Sequence, residues 1–413
     1  MSGATTGKTA FNRTGHQLLL NQRVGRIETF STSIKFVRIF FETVIVRNLS
    51  ISLGSAIPNL SSKQINETAF PLPPLAEQHR IVAKVDELMA LCDRLEEARR
   101  IREETRDKIT AASLARLTAP DSTPEDFPAH ARFAIETLPA LTSRPDQIKT
   151  LRQTILNLAV CGKLVEQDPA DEPMAASLLD AQRTLGPKAK ISKPTALIDV
   201  ELPHGWSANT LSQMCSFENG DRSSNYPSGP DIKAVGIPFF STKNLKDHRL
   251  QFSQLDFITA EKFASLRSGK LQDDDILITL RGSVGKFGVF AAGDGISTGF
   301  INAQLLIIRA VSRSSVPYLT LFMRSSFFSD QVAQLSSGSA TPQLSAGKLA
   351  TATVFLPPLA EQRRILTKVD VLMALCDRLE VNLTTADTTR ARLLEALLHE
   401  ALAPSSNIME AAE

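Results

Sequence analysis

The sequence predicts a mixed α/β (α+β) protein in which two modules with curved sheets are joined by two long antiparallel helices, the first module being incomplete. Three observations predict this: a long internal repeat, a coiled-coil spacing inside each copy, and short β-type runs clustered between the copies. A length of 413 residues favours two or three domains. The predicted boundaries are 1–72 for the partial first module, 73–119 for the first long helix, 120–200 for a linker with short helices, 201–356 for the second module, 357–404 for the second long helix and 405–413 for a disordered tail.

The repeat consists of PPLAEQHRIVAKVDELMALCDRLE at 73–96 and PPLAEQRRILTKVDVLMALCDRLE at 357–380. The offset is 284 residues, and only four of the 24 positions differ. The similarity extends upstream, where SLGSAIPNLS at 52–61 aligns with SSGSATPQLS at 336–345 on the same offset. Solenoid repeats have periods of about 20–50 residues, so this period indicates two large modules that end in the same element.

That element is predicted to be a long helix, because its apolar residues alternate spacings of four and three. A Pro-Pro pair precedes each copy, and Glu77 or Glu361 lies near the positive helix N-terminus. Two nearly identical seams in one chain favour their packing against each other as an antiparallel pair, over packing of each on its own module. The predicted spacer and subunit-interface residues are Ile81, Val85, Leu88, Cys92, Leu95, Ile365, Val369, Leu372, Cys376 and Leu379.

The stretch between the two long helices has three parts. Residues 119–145 contain five prolines and are predicted to be a linker. Residues 146–161 are predicted to form a helix with one apolar face, ended by Gly162 as C-cap. Residues 164–200 are polar, with a short helix predicted near 174–184.

The second module is predicted to be a mixed α/β domain with a curved or barrel-like sheet. Its β-type runs lie at 234–240, 275–280, 286–292 and 303–310, and helical stretches are expected near 260–266 and 316–335. In the first module, residues 18–27 resemble the run at 303–310, and 36–53 resemble the helical stretch. Nothing upstream corresponds to the other strands, so the first module is expected to be truncated.

Composition excludes several classes of protein. The 46 Lys and Arg against 44 Asp and Glu leave a net charge of +2, which excludes a binder held by bulk charge. No run of 18 apolar residues is present, so no membrane partner is expected. The four scattered cysteines favour a reduced, cytoplasmic setting without a metal site.

A catalytic centre is not expected either. GATTGKT at 3–9 has one residue too few between its glycines for a phosphate-binding loop, and no strand precedes it. The acidic run Asp273–Asp275 could hold a metal but is better explained as a solvated turn.

Local basic patches favour nucleic-acid binding by turns. Residues 1–70 contain eight Lys and Arg against three acidic residues, and basic residues of the second module, including Arg249, fall in turns and hairpins. The candidate DNA-binding residues are Lys243, Asn244, Lys246, Arg281, Ser283, Lys286, Ser339 and Thr341 in the second module, with Arg23 and Arg26 in the first.

The duplicated PPLAEQ(H/R)RI…KVDxLMALCDRLE, the ILNLAVCGKLVEQDPADEP segment at 155–173 and LPHGW at 202–206 resemble the specificity subunit of type I restriction-modification systems. The resemblance implies two target recognition domains, each reading one half of a split double-stranded DNA sequence, with the long helices as the spacer between them. It implies partners, namely two modification subunits and the restriction subunits. It also implies that this chain is not an enzyme and binds no cofactor, whereas the assembled complex uses S-adenosylmethionine, ATP and Mg.

The short first module departs from that pattern and leaves alternatives open. The chain is a gene fragment, has a wrongly assigned start, or is half of a split subunit. Two other functions remain: a helical assembly scaffold that no longer reads DNA, and a nuclease that acts alone. Retention of sequence-specific DNA by the complex and a metal-dependent cleavage assay distinguish these functions.

Overall fold

The computed structural model describes residues 8–12, 16, 18–21, 24–51, 62–118, 127–174, 193, 202–293, 295–338 and 342–402. The chain divides into two compact units, Met1–Thr105 and Arg106–Glu413. Three predictions lie outside the described residues: the short helix near 174–184, apart from residue 174 itself, the upstream part of the repeat at 52–61, and the tail at 405–413. In the described part of the chain, no helix is long and apolar enough to cross a membrane.

The first unit is built from helices. They are α1 (Ile34–Ile51), α2 (Ser62–Asn66) and the first part of α3 (Leu75–Thr118). Gln78 joins α1 to α3, since its side-chain oxygen accepts from the Ser33 backbone N–H at 2.9 Å and its amide donates to the Pro73 carbonyl at 2.8 Å. Phe70 makes edge-on ring contacts with Phe36 and Phe40 of α1. The predicted helical stretch at 36–53 is therefore confirmed over its described residues.

The strand predicted at 18–27 is not found, since the described residues of this segment have no regular secondary structure. Its apolar side chains are solvent-exposed, Leu19 completely so. The matching strand of the second unit is hydrogen-bonded to a neighbour on each side. The described residues before α1 contain no strand to pair with, so the backbone polar groups of a lone strand here would have no partners.

The described residues of the second unit form four small sheets. β10 (Phe300–Ile301), β4 (Ile237–Phe240), β7 (Asp256–Ile258) and β3 (Ile232–Lys233) form one, in which β10 and β4 are parallel. β2 (Cys215–Asn219), β11 (Leu305–Ala310), β8 (Ile276–Thr279) and β9 (Phe287–Val289) form an antiparallel sheet. β1 (Ser207–Thr210) pairs with β12 (Thr353–Leu356), and β5 (Leu245–Lys246) pairs with β6 (Arg249–Leu250). The mixed α/β character predicted for this module is confirmed.

The antiparallel sheet is buried on both faces. Along β11, Leu306 and Ile308 join the larger core with the helices, whereas Leu305 and Ile307 join a second core around Phe240. Side chains alternate faces along a strand, so a continuous apolar run is what a doubly covered strand requires. Four shorter helices complete the module: α6 (Ala260–Ser265), α7 (Val316–Met323), α8 (Ser326–Leu335) and α9 (Ala346–Leu349).

The linker predicted at 119–145 is in part a helix, α4 (Phe127–Leu141). Its second residue is Pro128, and proline is tolerated in the first turn because the backbone N–H there has no intrahelical partner. Ala134 of α4 is buried with Leu114 and Leu117, which lie on the end of α3 within the second unit. Packing against α3 therefore stabilises a segment that its prolines had suggested to be irregular.

The helix predicted at 146–161 is confirmed as α5 (Pro145–Val160). Gly162 has φ +72°, and the next residue's N–H bonds to the Leu158 carbonyl at 3.0 Å, which is the expected glycine C-cap. The second long helix is α10 (Leu359–Leu402), and its buried seam residues pack with α5: Ile365, Val369 and Cys376 share one core with Ile148 and Ile155.

The observed partner of the α10 seam is thus α5, where the sequence predicted the first long helix. α5 has both a matching apolar face and Arg152, which donates to Asp377 and Glu380 at 2.6 Å each. On α3, Ile81 and Val85 of the equivalent seam are half-buried, whereas Leu88 is 47% and Leu95 61% exposed. Antiparallel pairing of the two long helices stays a prediction.

Candidate nucleic-acid interface

Three turns of the second unit lie together and position the candidate residues. The β5–β6 hairpin packs on the start of β9, since the His248 ring lies 4.7 Å from that of Phe287. The β8–β9 turn packs on α8, where a Cβ at Gly285 would come within 2.9 Å of Val332. The same turn is hydrogen-bonded to the loop after α8, because the Gly282 N–H donates to the Pro342 carbonyl at 3.2 Å. These contacts connect the three turns.

The hairpin has the geometry that projects its flanking residues outwards. Asp247 and His248 at its tip have φ values of +51° and +59°, which are the left-handed conformations of a tight two-residue hairpin turn. Leu245 and Leu250 are buried beneath the hairpin and anchor it. Lys246 and Arg249, which pair across the hairpin, therefore extend into solvent beside its tip.

We use the term basic cluster for Lys246, Arg249, Arg281, Lys286 and Arg324, which are all solvent-exposed. In the part of the chain that the structure describes, none of these five has a carboxylate within ion-pair distance. Partial burial and the positive charge of Arg249 hold the pKa of Arg324 below its usual range. Burial and the charge of Arg324 likewise lower the pKa of His248. The surface is therefore an uncompensated positive patch that favours anions.

Three other cations of this unit, Lys243, Lys262 and Arg309, have carboxylate partners, unlike those of the basic cluster. The Lys243 ammonium lies 2.8 Å from Asp256, and Lys262 lies 3.1 Å from Asp231. Arg309 pairs with two carboxylates, Glu218 and Asp275, and so stabilises the sheet.

The structure sorts the predicted DNA-binding residues. Lys246 is exposed on the β5–β6 hairpin, and Arg281, Ser283 and Lys286 are exposed on the β8–β9 turn, whereas Lys243 is engaged with Asp256.

The prediction that Asn244 binds DNA is wrong. It is 1% exposed, and its side-chain oxygen accepts from the Ser241 N–H at 2.9 Å, so it shapes the turn and cannot reach a base. Arg26 is exposed but lies 2.9 Å from Glu28. Ser339, Thr341 and Arg23 lie outside the described residues.

Sequence reasoning missed two residues of this surface, Arg324 and His248. Arg324 directly follows the apolar helix α7, and Ser325 separates it from α8, so a basic residue at the break between two helices was the available signal. His248 lies at the tip of a two-residue hairpin turn that lacks the glycine by which such turns are usually recognised in a sequence. No sequence feature marked it.

Two residues of the acidic run at Asp273–Asp275 stabilise the fold through hydrogen bonds and ion pairs. Asp275 is fully buried, and both of its oxygens accept from Arg309 at 2.7 Å, so the predicted solvated turn is wrong for this residue. Asp273 lies 3.7 Å from Arg313 and accepts from the Ala292 N–H at 2.8 Å. Among the described residues, no group of three His, Cys, Asp or Glu side chains could hold a metal ion.

Comparison with known proteins identifies the family. The family described as "Type I restriction modification DNA specificity domain" matches residues 1–104 and 203–385. The chain therefore belongs to the family of type I restriction-modification DNA specificity domains.

Individual relatives agree with this membership. The specificity subunit of the type I restriction enzyme EcoAI of Escherichia coli is 30% identical over 355 residues, which cover 81% of this chain and 58% of that protein. The EcoEI specificity subunit of Escherichia coli is 28% identical, with the same coverage. The chain thus spans less than two thirds of the length of these two relatives.

Solved structures are similar at low sequence identity. The crystal structure of the HsdS subunit from Thermoanaerobacter tengcongensis is 21% identical with a TM-score of 0.38, covering 89% of this chain and 69% of that one. A chain from a study of the assembly of the type I R-M system is 20% identical with a TM-score of 0.49, covering 90% and 71%.

Proposed function

We propose that this chain is the sequence-specific DNA-binding subunit of a type I restriction-modification complex, and that residues 201–356 read one half of a split target. The observation that supports this most directly is the basic cluster, because five exposed cations on adjoining turns have no carboxylate partner in the described chain. Phosphate oxygens are the natural partners of such side chains, and contacts to them position a protein on the duplex.

The arrangement separates two tasks. Lys246, Arg249, Lys286 and Arg324 of the basic cluster contact the phosphates, while the exposed Ser283, together with the candidates Ser339 and Thr341, supplies hydroxyl groups to base edges. The β5–β6 hairpin is the element narrow enough to enter the major groove, since a two-stranded ribbon fits its width. Arg281, on the central turn, is the candidate for reading a guanine with both of its terminal nitrogens.

The proposal extends to the assembly. This chain contributes no catalysis and docks two modification subunits, which bind S-adenosylmethionine and methylate adenine, while restriction subunits supply ATP- and Mg-dependent cleavage. The long helices α3 and α10 set the distance between the two recognition modules, as a rigid spacer would. The complex acts on DNA in the cytoplasm.

DNA binding by the full chain tests the proposal. Arg249→Ala, Lys286→Ala and Arg324→Ala should each weaken binding to all duplexes and lower the slope of log affinity against log salt by about one. Lys262→Ala is the matched control, because this lysine of the same unit already pairs with Asp231. Unchanged affinity in the triple variant would refute the site.

Methylation mapping tests specificity separately. With the modification subunits present, Arg281→Ala should relax one position of the methylated motif, at a cost of about 1–3 kcal/mol in discrimination. Methylation without any sequence preference in the unmodified complex would instead favour the scaffold function.

A further inference from the structure

The imidazole of His248 is held at the tip of the β5–β6 hairpin. Its ring centroid lies 4.7 Å from that of Phe287, and the two rings are inclined at 38°. The hairpin itself lies directly on β9, where a Cβ at Gly288 would come within 2.8 Å of the backbone of Arg249 and Leu250. These contacts fix the hairpin against the sheet, so the ring is presented in a defined place.

The backbone at this tip suits glycine better than histidine. Asp247 and His248 both have positive φ, and a two-residue hairpin turn of this kind strongly favours Asn-Gly or Asp-Gly. The left-handed conformation is disfavoured for a residue with a Cβ, and glycine avoids this penalty. The imidazole thus occupies a position at which the backbone alone would select no side chain.

The hydrogen-bonding capacity of this ring is unused within the described part of the chain. His248 is solvent-exposed, and neither of its ring nitrogens has a hydrogen-bond partner among those residues. Contact with Phe287 is through the aromatic rings and involves neither nitrogen. A neutral imidazole carries one donor and one acceptor nitrogen, so both are available to an outside ligand.

The charged groups around His248 favour its neutral form. Partial burial and the charge of Arg324, from the break between α7 and α8, lower the pKa of His248 below its usual 6.5, and Asp247 offsets this only in part. Two further cations belong to the neighbouring elements, Arg249 on the hairpin and Lys286 just before β9. At neutral pH the ring is therefore mostly uncharged and keeps its acceptor nitrogen.

We propose that His248 is a specificity-determining residue, whose neutral imidazole accepts a hydrogen bond from the exocyclic amino group of an adenine or a cytosine in the major groove. This role rests on the proposed DNA-binding function and adds to it a residue and the chemical group that it reads. Adenine N6 and cytosine N4 are the amino donors of the major groove. The five cations of the basic cluster can only donate, so His248 supplies the acceptor that they lack. Phosphate oxygens only accept, so they have no use for an acceptor nitrogen.

Selection from a library of duplexes of randomised sequence tests this role. The full chain with its modification subunits retains duplexes that are then sequenced, and the unmodified chain is compared with His248→Gly and His248→Asn. His248→Gly should lose about tenfold in preference at one base pair, whereas His248→Asn should keep that preference, because its amide oxygen also accepts. Glycine and asparagine both tolerate the left-handed backbone, so neither change should lower the melting temperature. A motif that His248→Gly leaves unchanged would overturn the proposal.

Removing the amino group from the base tests the chemistry and tells adenine from cytosine. At the base pair that His248→Gly relaxes, the adenine is replaced by purine, which lacks the N6 amino group, or the cytosine by its analogue without the N4 amino group. The altered duplex should bind the unmodified complex about tenfold more weakly, and it should bind the His248→Gly complex as well as the unaltered duplex does. An equal loss in both complexes would refute reading of the amino group.

Acidity separates base reading from phosphate contact. A protonated imidazole has two donors and no acceptor, so the unmodified chain should lose this preference as the pH falls from about 8 to about 5, whereas His248→Asn should keep it. A preference that survives at low pH in the unmodified chain, while affinity for all duplexes rises, would identify a phosphate contact and overturn the proposal. A complex of the unmodified chain without sequence preference at any pH would refute the DNA-binding function as well, whereas a motif insensitive to His248→Gly refutes only the role of His248.

Discussion

Replacing Asp275 with alanine removes the anchor of Arg309 inside the antiparallel sheet. The Asp275 side chain is 1% exposed and accepts three hydrogen bonds, two from Arg309 and one from the Gln272 N–H, each at 2.7 Å. Arg309 also donates to Glu218 and to the Lys270 carbonyl at 3.1 Å each. These contacts hold the pKa of Arg309 above its usual value, chiefly through hydrogen bonding to Asp275.

The expected cost follows from this geometry. Removing one partner of a buried ion pair costs about 3–5 kcal/mol, because the other charge is left without compensation. Arg309 keeps Glu218 and is 26% exposed, so we expect the lower end, about 3 kcal/mol. For a domain of this size, that corresponds to a fall of about 6–12 °C in melting temperature.

Urea unfolding followed by Trp206 fluorescence measures this loss, since Trp206 is the one tryptophan of the chain and is buried in this unit. The control is Asp273→Ala. Its Arg313 pair is 3.7 Å long with exposed partners, and such pairs contribute about 0–1 kcal/mol. Equal stability losses in the two variants, or a loss below about 1 kcal/mol for Asp275→Ala, would refute the reasoning.

Three further outcomes are expected. Burial raises the pKa of Glu361 above 4.5, so the folded chain binds this proton more readily than the unfolded chain, and the group's contribution to stability should fall as pH rises from about 4.5 through the folded pKa. Trp206, which donates to Glu361 at 2.9 Å, should change its fluorescence over the same interval, and a titration that survives Glu361→Gln would contradict this. Val369→Asp should lower the melting temperature by several degrees because the site is 2% exposed, whereas Val85→Asp, at a half-buried position, should lower it less; equal effects would refute the difference between the seams. Cys92 should react quickly with a thiol reagent in the native chain, while the other three cysteines are buried with raised pKa values, so more than one fast thiol would argue against these burials.

Local pattern in the sequence accounts for many of the elements. The four-three spacing predicts both long helices, and the apolar face of 146–161 together with Gly162 predicts α5 and its cap. The β-type runs coincide with β4, β8, β9 and β11. Each of these signals depends on residues within a few positions of one another, which is the range over which periodicity and capping act.

The failures have a common origin in contacts between distant parts of the chain. Residues 18–27 have the composition of a strand, but a strand forms only where another lies beside it. Residues 127–141 have prolines typical of a linker, but the helix is stabilised by Leu114 and Leu117 on the end of α3. Neither neighbour can be identified from the segment itself.

The sequence by itself determined that this chain contains two copies of one long helix and a mixed α/β module between them, because repeats and periodicity are properties of the linear order. The tertiary structure determined which surfaces of those elements are buried and which charges are paired. It buried Ile365, Val369 and Cys376 of the α10 seam in a core shared with α5, whereas Leu88, Cys92 and Leu95 of the α3 seam are exposed, although the two seams have the same residues. It buried Asn244 and neutralised Lys243 while leaving Arg249 and Arg324 without carboxylates, since compensation of a charge depends on which side chains folding brings within a few ångströms of it.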